Sequence, residues 1–311
     1  MKPHVEIVDR NVFFERLPYP VTVYDSEDFI RSVADDRSRC ADITFVIADD
    51  GDTEIGMIWG LRPNSPIRFA PFSAPYSLCS ASRPMSEITG TTFDTLLKAL
   101  AVFIDEQFKG QWQMTLAPTF YAQALVEAMA RTFESTGQIA YIDRNYAHTI
   151  DAELSSAARR NLRKATQRGT FRLLTDPNPE EVYDLIAEHH RLLSYNMAMT
   201  REQVMDTAHN VPMDFFMVMD GDTPAAAAYY QHTAAGIVQM INWGDTTDAR
   251  PLRVTNWMDH AISRHYADKG ISIIDLGPGT NKGIANDGLE RFKTSLGCTI
   301  SPKHTISGRA V

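Results

Sequence analysis

The chain carries the same pattern of apolar and polar positions twice. The tetrapeptide Asp-Gly-Asp-Thr occupies residues 50–53 and recurs at residues 220–223, each time between two apolar runs. These runs are residues 43–48 and 55–61 around the first copy, and residues 215–219 and 225–231 around the second. Because Asp-Gly tolerates the positive φ of a tight turn, each copy predicts a β-hairpin. Asp-Gly-Asp also begins a calcium loop, but the later EF-hand ligands are missing, so no metal site is predicted.

The elements after each hairpin follow the same order. Apolar positions at helical spacing predict helices, and shorter apolar runs predict strands. After the first hairpin come a helix at 91–108, a strand at 111–117, a helix at 121–133 and a strand at 139–150. After the second come a helix at 252–267, a strand at 271–276, a helix at 287–295 and a strand at 299–307. The repeat predicts an α/β (α+β) fold with two tandem lobes, 1–150 and 151–311, each a mixed central sheet flanked by helices.

Length, charge and cysteine spacing exclude several classes of protein. At 311 residues, with 44% hydrophobic and 22% charged residues, the chain resembles one large or two medium folded domains. A formal net charge of -9 argues against a protein that coats DNA, because such binding needs a broad basic surface. Cys40, Cys79 and Cys298 lack the spacing of a disulfide framework or a zinc site. No signal-like or bilayer-spanning apolar run occurs, so we expect a cytoplasmic protein.

One helix-prone segment between the lobes is basic in an otherwise acidic chain. Its cations are Arg159, Arg160, Arg163, Lys164 and Arg168, spaced so that neighbours share a helix face. Two interpretations stay open. The segment is either a solvated interdomain helix or the binding site of a phosphate-bearing ligand, which would lie in the cleft between the lobes.

Two stretches resemble a known family. Residues 158–165, Ala-Arg-Arg-Asn-Leu-Arg-Lys-Ala, resemble the segment that opens the second lobe of Fem-type (FemAB-like) aminoacyl transferases, and residues 287–297 resemble their closing Gly-Leu, Phe-Lys and Gly motif. Leu296 stands where the family usually has Phe. In the first lobe, the Pro-rich residues 71–76 are similar to a strand-loop of that family. The resemblance implies two GNAT-like lobes, the first diverged and structural, and transfer of an acyl or aminoacyl group from acyl-CoA or aminoacyl-tRNA to an amine.

The resemblance also implies roles for individual residues. Lys293, the Lys of the Phe-Lys motif, is similar to a catalytically implicated position and would supply positive charge near the developing oxyanion. Arg191 and Tyr195, four residues apart on a helix predicted at 180–195, resemble a pair that holds a nucleotide-linked acceptor. The alternative for Lys293 is an ordinary surface lysine on its helix. The alternative for Arg191 and Tyr195 is a pair that packs on one helix face.

Further candidates come from the second lobe itself. Asp275 ends an apolar strand before a glycine-rich loop, where a carboxylate acts as a base or orders the loop through backbone N–H groups. Tyr230, Trp243 and Asp245 lie on the central strands and are predicted to line a pocket. Arg250 and Arg253 enter the long helix, where the dipole favours an anion, although the glycine-rich CoA turn of GNAT proteins is absent.

These features favour an N-acyltransferase without a permanently bound cofactor. Acyl-CoA is the expected donor, since the acidic composition disfavours tRNA without excluding it. Two alternatives remain: a peptidoglycan-precursor aminoacyl transferase that uses aminoacyl-tRNA, and a non-catalytic tandem protein that binds a ligand or a partner.

Overall fold

The computed structural model describes residues 2–34, 36, 38 and 41–309, so Cys40 lies outside the described residues. The chain forms two compact units. Unit 1 comprises Met1–Asp143 with Ser301–Val311, and unit 2 comprises Arg144–Ile300. None of the helices in the described ranges is long and apolar enough to cross a membrane.

Unit 1 contains most of the first repeat. Its elements are β1 (His4–Val8), α1 (Arg10–Arg16), β2 (Tyr19–Pro20), α2 (Glu27–Ala34), β3 (Asp42–Asp49), β4 (Glu54–Leu61), β5 (Arg68–Ala70), β6 (Ser80–Ala81), α3 (Gly90–Gln107), β7 (Trp112–Thr115) and α4 (Gln123–Thr136). The strand β8 (Gly137–Thr149) follows and carries the chain into unit 2. The main strand order is β1-β3-β4-β5-β7, in which β5 and β7 run parallel.

Unit 2 contains the second repeat. Its elements are α5 (Ser156–Arg168), β9 (Phe171–Leu174), α6 (Pro179–Leu192), α7 (Arg201–Asn210), β10 (Met213–Asp220), β11 (Thr223–Ala234), β12 (Ile237–Asp245), α8 (Val254–Ala267), β13 (Ile273–Pro278), the short strands β14 (Thr280–Asn281) and β15 (Ile284–Ala285), and α9 (Asp287–Ser295). The last strand, β16 (Thr299–Gly308), returns to unit 1. The strand order is β9-β10-β11-β12-β13-β8, and β12 and β13 run parallel.

The predicted repeat is present, with one strand more in each copy. Both hairpins form, as β3 with β4 and β10 with β11, and Gly51 and Gly221 have φ values of 98° and 59° at their turns. The predicted order of repeated elements left out the antiparallel third strand of each copy, β5 or β12, although Trp243 and Asp245 of β12 were placed on a strand. This third strand pairs in parallel with the strand after the long helix. In the first turn, Asp50 accepts hydrogen bonds from the backbone N–H groups of Asp52 and Thr53.

The closing strand of each repeat extends into the other unit. The second half of β8 pairs antiparallel with β13 of unit 2, and β16 pairs antiparallel with β7 of unit 1. The units therefore differ from the predicted lobes 1–150 and 151–311 at both boundaries. The reason is that strand pairing connects segments far apart in sequence, whereas the predicted boundaries followed chain order.

Both faces of the unit 2 sheet are covered by helices. On one face, α8 packs against side chains such as Phe216, Tyr230 and Ile274, and on the other α6 packs against Phe215 and Tyr229. Alternating strand residues point to opposite faces, so neighbouring residues of β10 and β11 belong to different cores. The two cores fix β12 from both sides and position the end of this strand for the site described next.

Candidate functional site

The parallel strands β12 and β13 separate partway along their length. They pair at residues 237–239 and 273–275, and in the described residues the ladder stops there. Beyond Asp275, β13 shifts register and pairs with β8 on its other edge, where Pro278 lies opposite Asn145. Gly277 has a φ of 73°, which suits a residue without a side chain. The separation opens a gap between two strand edges within unit 2.

A small cavity lies at this gap; the space in and around it, open solvent included, is about 240 Å³. Its apolar lining consists of Met240 and Trp243 from β12, Leu276 from β13, Met258 from α8, and Phe292 and Leu296 from the end of the chain's last helix. Tyr230, Thr255 and Asp259 contribute the polar groups. A concave, mostly apolar site with a few polar groups is the usual form of a small-molecule site.

Lys293 and Asp275 stabilise the end of β13. Lys293 is 3% exposed, and its Nζ donates to the backbone carbonyls of Leu276, Gly277 and Pro278 at 2.6, 3.0 and 2.9 Å. Asp275 is fully buried and accepts hydrogen bonds from Asn145 Nδ2 at 2.7 Å and from the Gly277 N–H at 2.8 Å. These contacts fix the position at which β13 leaves β12. The predicted catalytic roles of both residues stay predictions.

Asp245 links the end of β12 to three other elements. Its Oδ1 lies 3.0 Å from His189 Nδ1 on α6 and accepts from Arg250 Nε at 3.0 Å, and Thr255 Oγ1 donates to Oδ2 at 3.2 Å. Burial opposes ionisation of Asp245, but hydrogen bonds from His189 and Arg250 outweigh it and lower its pKa. The carboxylate thus ties α6 and the start of α8 to the gap.

Gly244 allows α6 to approach the end of β12. A Cβ at Gly244 would lie 2.8 Å from the Cβ of His189 and 3.1 Å from the Cα of Ile186, both on α6. Contacts below 3.4 Å force the helix to move, so the missing side chain is needed for close packing. This packing brings His189 to the Asp245 carboxylate.

Two arginines, Arg250 and Arg253, lie just before the first turn of α8. Arg253 precedes the helix with a left-handed φ of 66° and makes no side-chain cap, and Arg250 lies in the short turn just before it. Arg253 is exposed and Arg250 half-buried. The uncapped N–H groups and the helix dipole favour an anion at this position. Binding of a phosphate by Arg250 and Arg253 stays a prediction.

Tyr230 and Trp243 line the cavity, but Asp245, which was predicted to lie beside them, is not among its lining residues. Substrate binding by these three residues stays a prediction. The Trp243 ring stacks on Phe292 with centroids 5.8 Å apart and lies 5.6 Å from the His189 ring. Burial, with a smaller effect from the Asp259 carboxylate, raises the pKa of the Tyr230 phenol well above 10.0. Tyr230 is therefore a neutral phenol at ordinary pH.

The predicted arrangement of Arg191 and Tyr195 is wrong. The helix predicted at 180–195 is α6, which ends at Leu192, and Ser194 takes a left-handed φ of 57°. Tyr195 is thus outside the helix, 56% exposed, with its ring against His190 at 5.9 Å. Arg191 pairs with Glu188 at 2.6 Å on the exposed helix surface. The left-handed residue reverses the chain before the fourth position is reached.

The predicted basic helix is α5, and its cations face solvent. Arg159, Arg160, Arg163, Lys164 and Arg168 are all exposed, while Ala158 and Ala165 are buried. Ser155 caps the helix by accepting from the Ala158 N–H at 3.1 Å. In the described part of the chain, none of the five cations forms an ion pair with a carboxylate. Binding of a phosphate by these residues stays a prediction.

Three residues of the site were not predicted from the sequence. His189 contacts Asp245, and His148 on β8 lies with its Nε2 3.5 Å from Asp259 Oδ1, where Asp259 borders the cavity. No short motif marks these residues, and they meet only through tertiary packing. Among the described residues, no group of three or more His, Cys, Asp or Glu side chains is arranged to hold a metal ion.

Part of the chain matches a known family model. Residues 153–294 match the family model described as an acetyltransferase (GNAT) domain. No curated protein matches the sequence. The matched stretch lies within unit 2, which contains the gap and the cavity.

Solved structures resemble the chain over nearly its whole length. FemX has a TM-score of 0.63 at 10% identity, covering 99% of this chain and 98% of that one. L-PGS from Bacillus licheniformis has a TM-score of 0.57 at 11% identity, covering 95% and 89%. A tandem GNAT protein from the clavulanic acid biosynthesis pathway has a TM-score of 0.52 at 8% identity, covering 99% of each chain. The chain therefore has the FemAB-like, tandem GNAT fold.

Proposed function

We propose that the protein is an N-acyltransferase that moves an acyl group from an acyl-CoA to an amine, with the donor bound in unit 2. The observation that carries this proposal is the gap between β12 and β13, which joins an apolar cavity to the N-terminal turn of α8. The match of residues 153–294 to the acetyltransferase (GNAT) family model supports it.

The parts of an acyl-CoA suit the parts of this site. The edge of β12 beyond residue 239 no longer pairs with β13, so the amides of a pantetheine chain can add to it as a strand would. The acyl group enters the cavity. The phosphates meet the first turn of α8 together with Arg250 and Arg253, where the backbone dipoles already favour negative charge.

The reaction needs a neutral amine and a positioned thioester carbonyl. The amine nitrogen forms a bond to the carbonyl carbon, the C–S bond breaks, and the thiolate takes up the proton that the nitrogen loses. Lys293 has three donors to backbone carbonyls, so we assign it the part of a positioning residue, whose charge also supplies positive potential near Leu276. Asp275 positions the same segment through the Gly277 N–H.

The test is the affinity for CoA and acetyl-CoA, measured by titration calorimetry. In Arg253→Gly the left-handed φ is kept and one cation at the α8 turn is removed, so we expect about tenfold weaker binding. Lys109→Gly is the matched control, since Lys109 is also an exposed cation, has a φ of 51° and lies in unit 1. Absence of binding in the wild type, or equal loss in both variants, contradicts the proposed donor site.

Aminoacyl-tRNA is the second candidate donor, and the exposed cations of α5 favour it. A tRNA that contacts this helix should lose affinity in the triple variant Arg159→Ala, Arg160→Ala, Arg163→Ala and in rising salt, whereas a CoA bound at α8 should keep most of its affinity. If neither CoA species, nor UDP-linked muropeptides, nor tRNA raises the melting temperature, the non-catalytic alternative replaces both.

A further inference from the structure

A histidine lies against the part of β12 that has left β13. His190 is on the last turn of α6, and its ring is in polar contact with the Asn242 side chain and the Trp243 backbone. Both residues follow Gln239, the last residue of β12 that pairs with β13. The Nδ1 of His190 is buried and makes no hydrogen bond of normal geometry within the part of the chain that the structure describes, and the residue as a whole is half-buried. An imidazole thus borders the edge to which we assign the donor.

The amine acceptor should approach this edge from the α6 face of the sheet. On the other face, side chains of α8 and α9 line the cavity that holds the acyl group. Asn242 points to the α6 face, because it pairs with Tyr229, whose ring belongs to the core under α6. Residues 240–243 are half-buried, so this stretch of β12 is accessible. His190 therefore lies on the face from which the acceptor arrives.

The neighbouring titratable groups are poorly suited to accept a proton from an amine. His189 is held by Asp245, whose backbone N–H lies 3.0 Å from its Nδ1. Burial is outweighed at Asp245 by hydrogen bonds, which lower its pKa and make it a weak base. Burial raises the pKa of Tyr229 to about 12, so this phenol keeps its own proton at ordinary pH.

His190, in contrast, is a neutral imidazole at pH 7. Burial and the adjacent His189 lower its pKa from 6.5, and they outweigh its polar contacts with Asn196, Asn242 and Trp243. A base acts best when its pKa lies near the working pH, because it is then unprotonated and still accepts a proton readily.

We infer that His190 is the general base of acyl transfer and takes a proton from the acceptor amine on the α6 face of β12. The inference rests on the proposed function, because it needs the thioester in the gap. The acceptor arrives as an ammonium and loses two protons in all. His190 takes the first and releases it to solvent. The nitrogen then bonds to the carbonyl carbon, the C–S bond breaks, and the CoA thiolate takes the second proton.

The test compares two small nucleophiles that react with acetyl-CoA at pH 7.5, with release of the CoA thiol as the measure. Ethylamine is almost wholly protonated at this pH and needs a base, whereas hydroxylamine is mostly neutral and does not. In His190→Gln, kcat/KM should fall about hundredfold or more for ethylamine and less than about threefold for hydroxylamine. The Kd for acetyl-CoA should stay unchanged. His209→Gln is the matched control, since His209 is an exposed histidine on α7, and it should keep the wild-type rates.

The pH profile of the wild type tests the same inference without any variant. Above pH 7 His190 is already neutral, so kcat/KM for ethylamine should change less than about twofold between pH 7.5 and pH 9. Without a base, the reactive neutral fraction of ethylamine, and the rate with it, would rise about tenfold per pH unit.

Four results overturn the inference. A tenfold rise per pH unit in the wild type, unchanged ethylamine transfer in His190→Gln, or an equal loss for both nucleophiles shows that His190 is not the base. A wild type that binds acetyl-CoA but speeds neither reaction overturns the inference and leaves the donor site standing. If acetyl-CoA does not bind, the proposed function itself is wrong, and the inference with it.

Discussion

In unit 1 the strands β5 and β7 begin side by side, as β12 and β13 do in unit 2, but the chain itself fills the space beyond them. Residues 71–78, the plug segment, follow β5 directly. Ser77 lies beside Leu116 in a parallel bridge and donates its N–H to the Thr115 carbonyl at 3.0 Å. In unit 2 no comparable segment of the described chain follows β12, and a cavity lies there instead.

The N-terminal ends of the long helices, α3 in unit 1 and α8 in unit 2, differ in the same way: one is filled by the chain and the other is not. Thr89 caps α3, because its side chain accepts from the Thr92 N–H at 3.2 Å. The start of α8 has Arg253 in the corresponding place and no side-chain cap. In unit 1 the plug segment fills the gap between the strands and Thr89 caps the long helix. In unit 2 the gap and the first turn of α8 are both open to a ligand. This difference explains why we place the donor site in unit 2 although both units share one topology.

Of the changes near the gap between β12 and β13, Lys293→Met should have the largest effect on stability. The substitution leaves the carbonyls of Leu276, Gly277 and Pro278 without their ammonium donor in a buried setting, so the free energy of unfolding should fall by about 3 kcal/mol. Urea denaturation measures the loss. Donor affinity should fall with it, because the end of β13 is no longer held.

Lys282→Met is the control for this prediction. Lys282 is exposed in the loop after β13, so its replacement should change stability by less than about 0.5 kcal/mol. A Lys293→Met protein that is as stable as the wild type and binds donor, yet does not transfer the acyl group, would assign Lys293 to the chemistry and not to the strand.

Much of the fold could be predicted because its signals are local. Turn residues between apolar runs fixed both hairpins, and the helix predicted at 287–295 is α9 to the residue. The pairing of β8 with β13 and of β16 with β7 could not be predicted, since it depends on contacts between segments distant in sequence. Local periodicity is the same whichever strand a segment finally joins.

The site was predicted less well than the fold, for a related reason. Tyr230 and Trp243 were placed at the cavity correctly because central strands of a sheet border its clefts, whereas Asp245 on the same strands does not line it. His148 and Asp259 are 111 positions apart and meet only through packing of α8 on the sheet, so no spacing rule reveals them. The prediction for Arg191 and Tyr195 was wrong because it extended the helix past Ser194, whose left-handed backbone ends the helical path.

The plug segment of unit 1 should respond to pH through Asp25. This buried carboxylate accepts from Ser77 Oγ at 2.9 Å and from the Leu78 N–H, and burial raises its pKa from 3.8 to about 6. The folded state therefore holds its proton more tightly than the unfolded state does, so this group favours folding more as pH falls through 6 towards 4. Relative to Asp25→Asn, the wild type should gain about 2 kcal/mol between pH 8 and pH 4.

Denaturation of both proteins across that range measures the difference. The comparison with Asp25→Asn removes the effects of other titrating groups, which both proteins share. A difference that is flat with pH would show that Asp25 is ionised in the folded state at pH 5, and that the hydrogen bonds from Thr22 and Ser77 outweigh its burial. The plug segment would then be held by a charge instead of a neutral acid.

The smallest effect is expected where the plug segment contacts the sheet. Phe72 packs on Gly60 of β4, and a Cβ at Gly60 would lie 2.5 Å from Phe72 Cδ2. Gly60→Ala should therefore lower the free energy of unfolding by about 1–3 kcal/mol, as overpacking does, without changing donor affinity in unit 2. Gly90→Ala is the control, because a Cβ there meets nothing within 4 Å and should change stability by less than about 0.5 kcal/mol. Loss of donor affinity in Gly60→Ala would mean that the filled gap of unit 1 supports the open gap of unit 2, and that the two repeats are not independent in function.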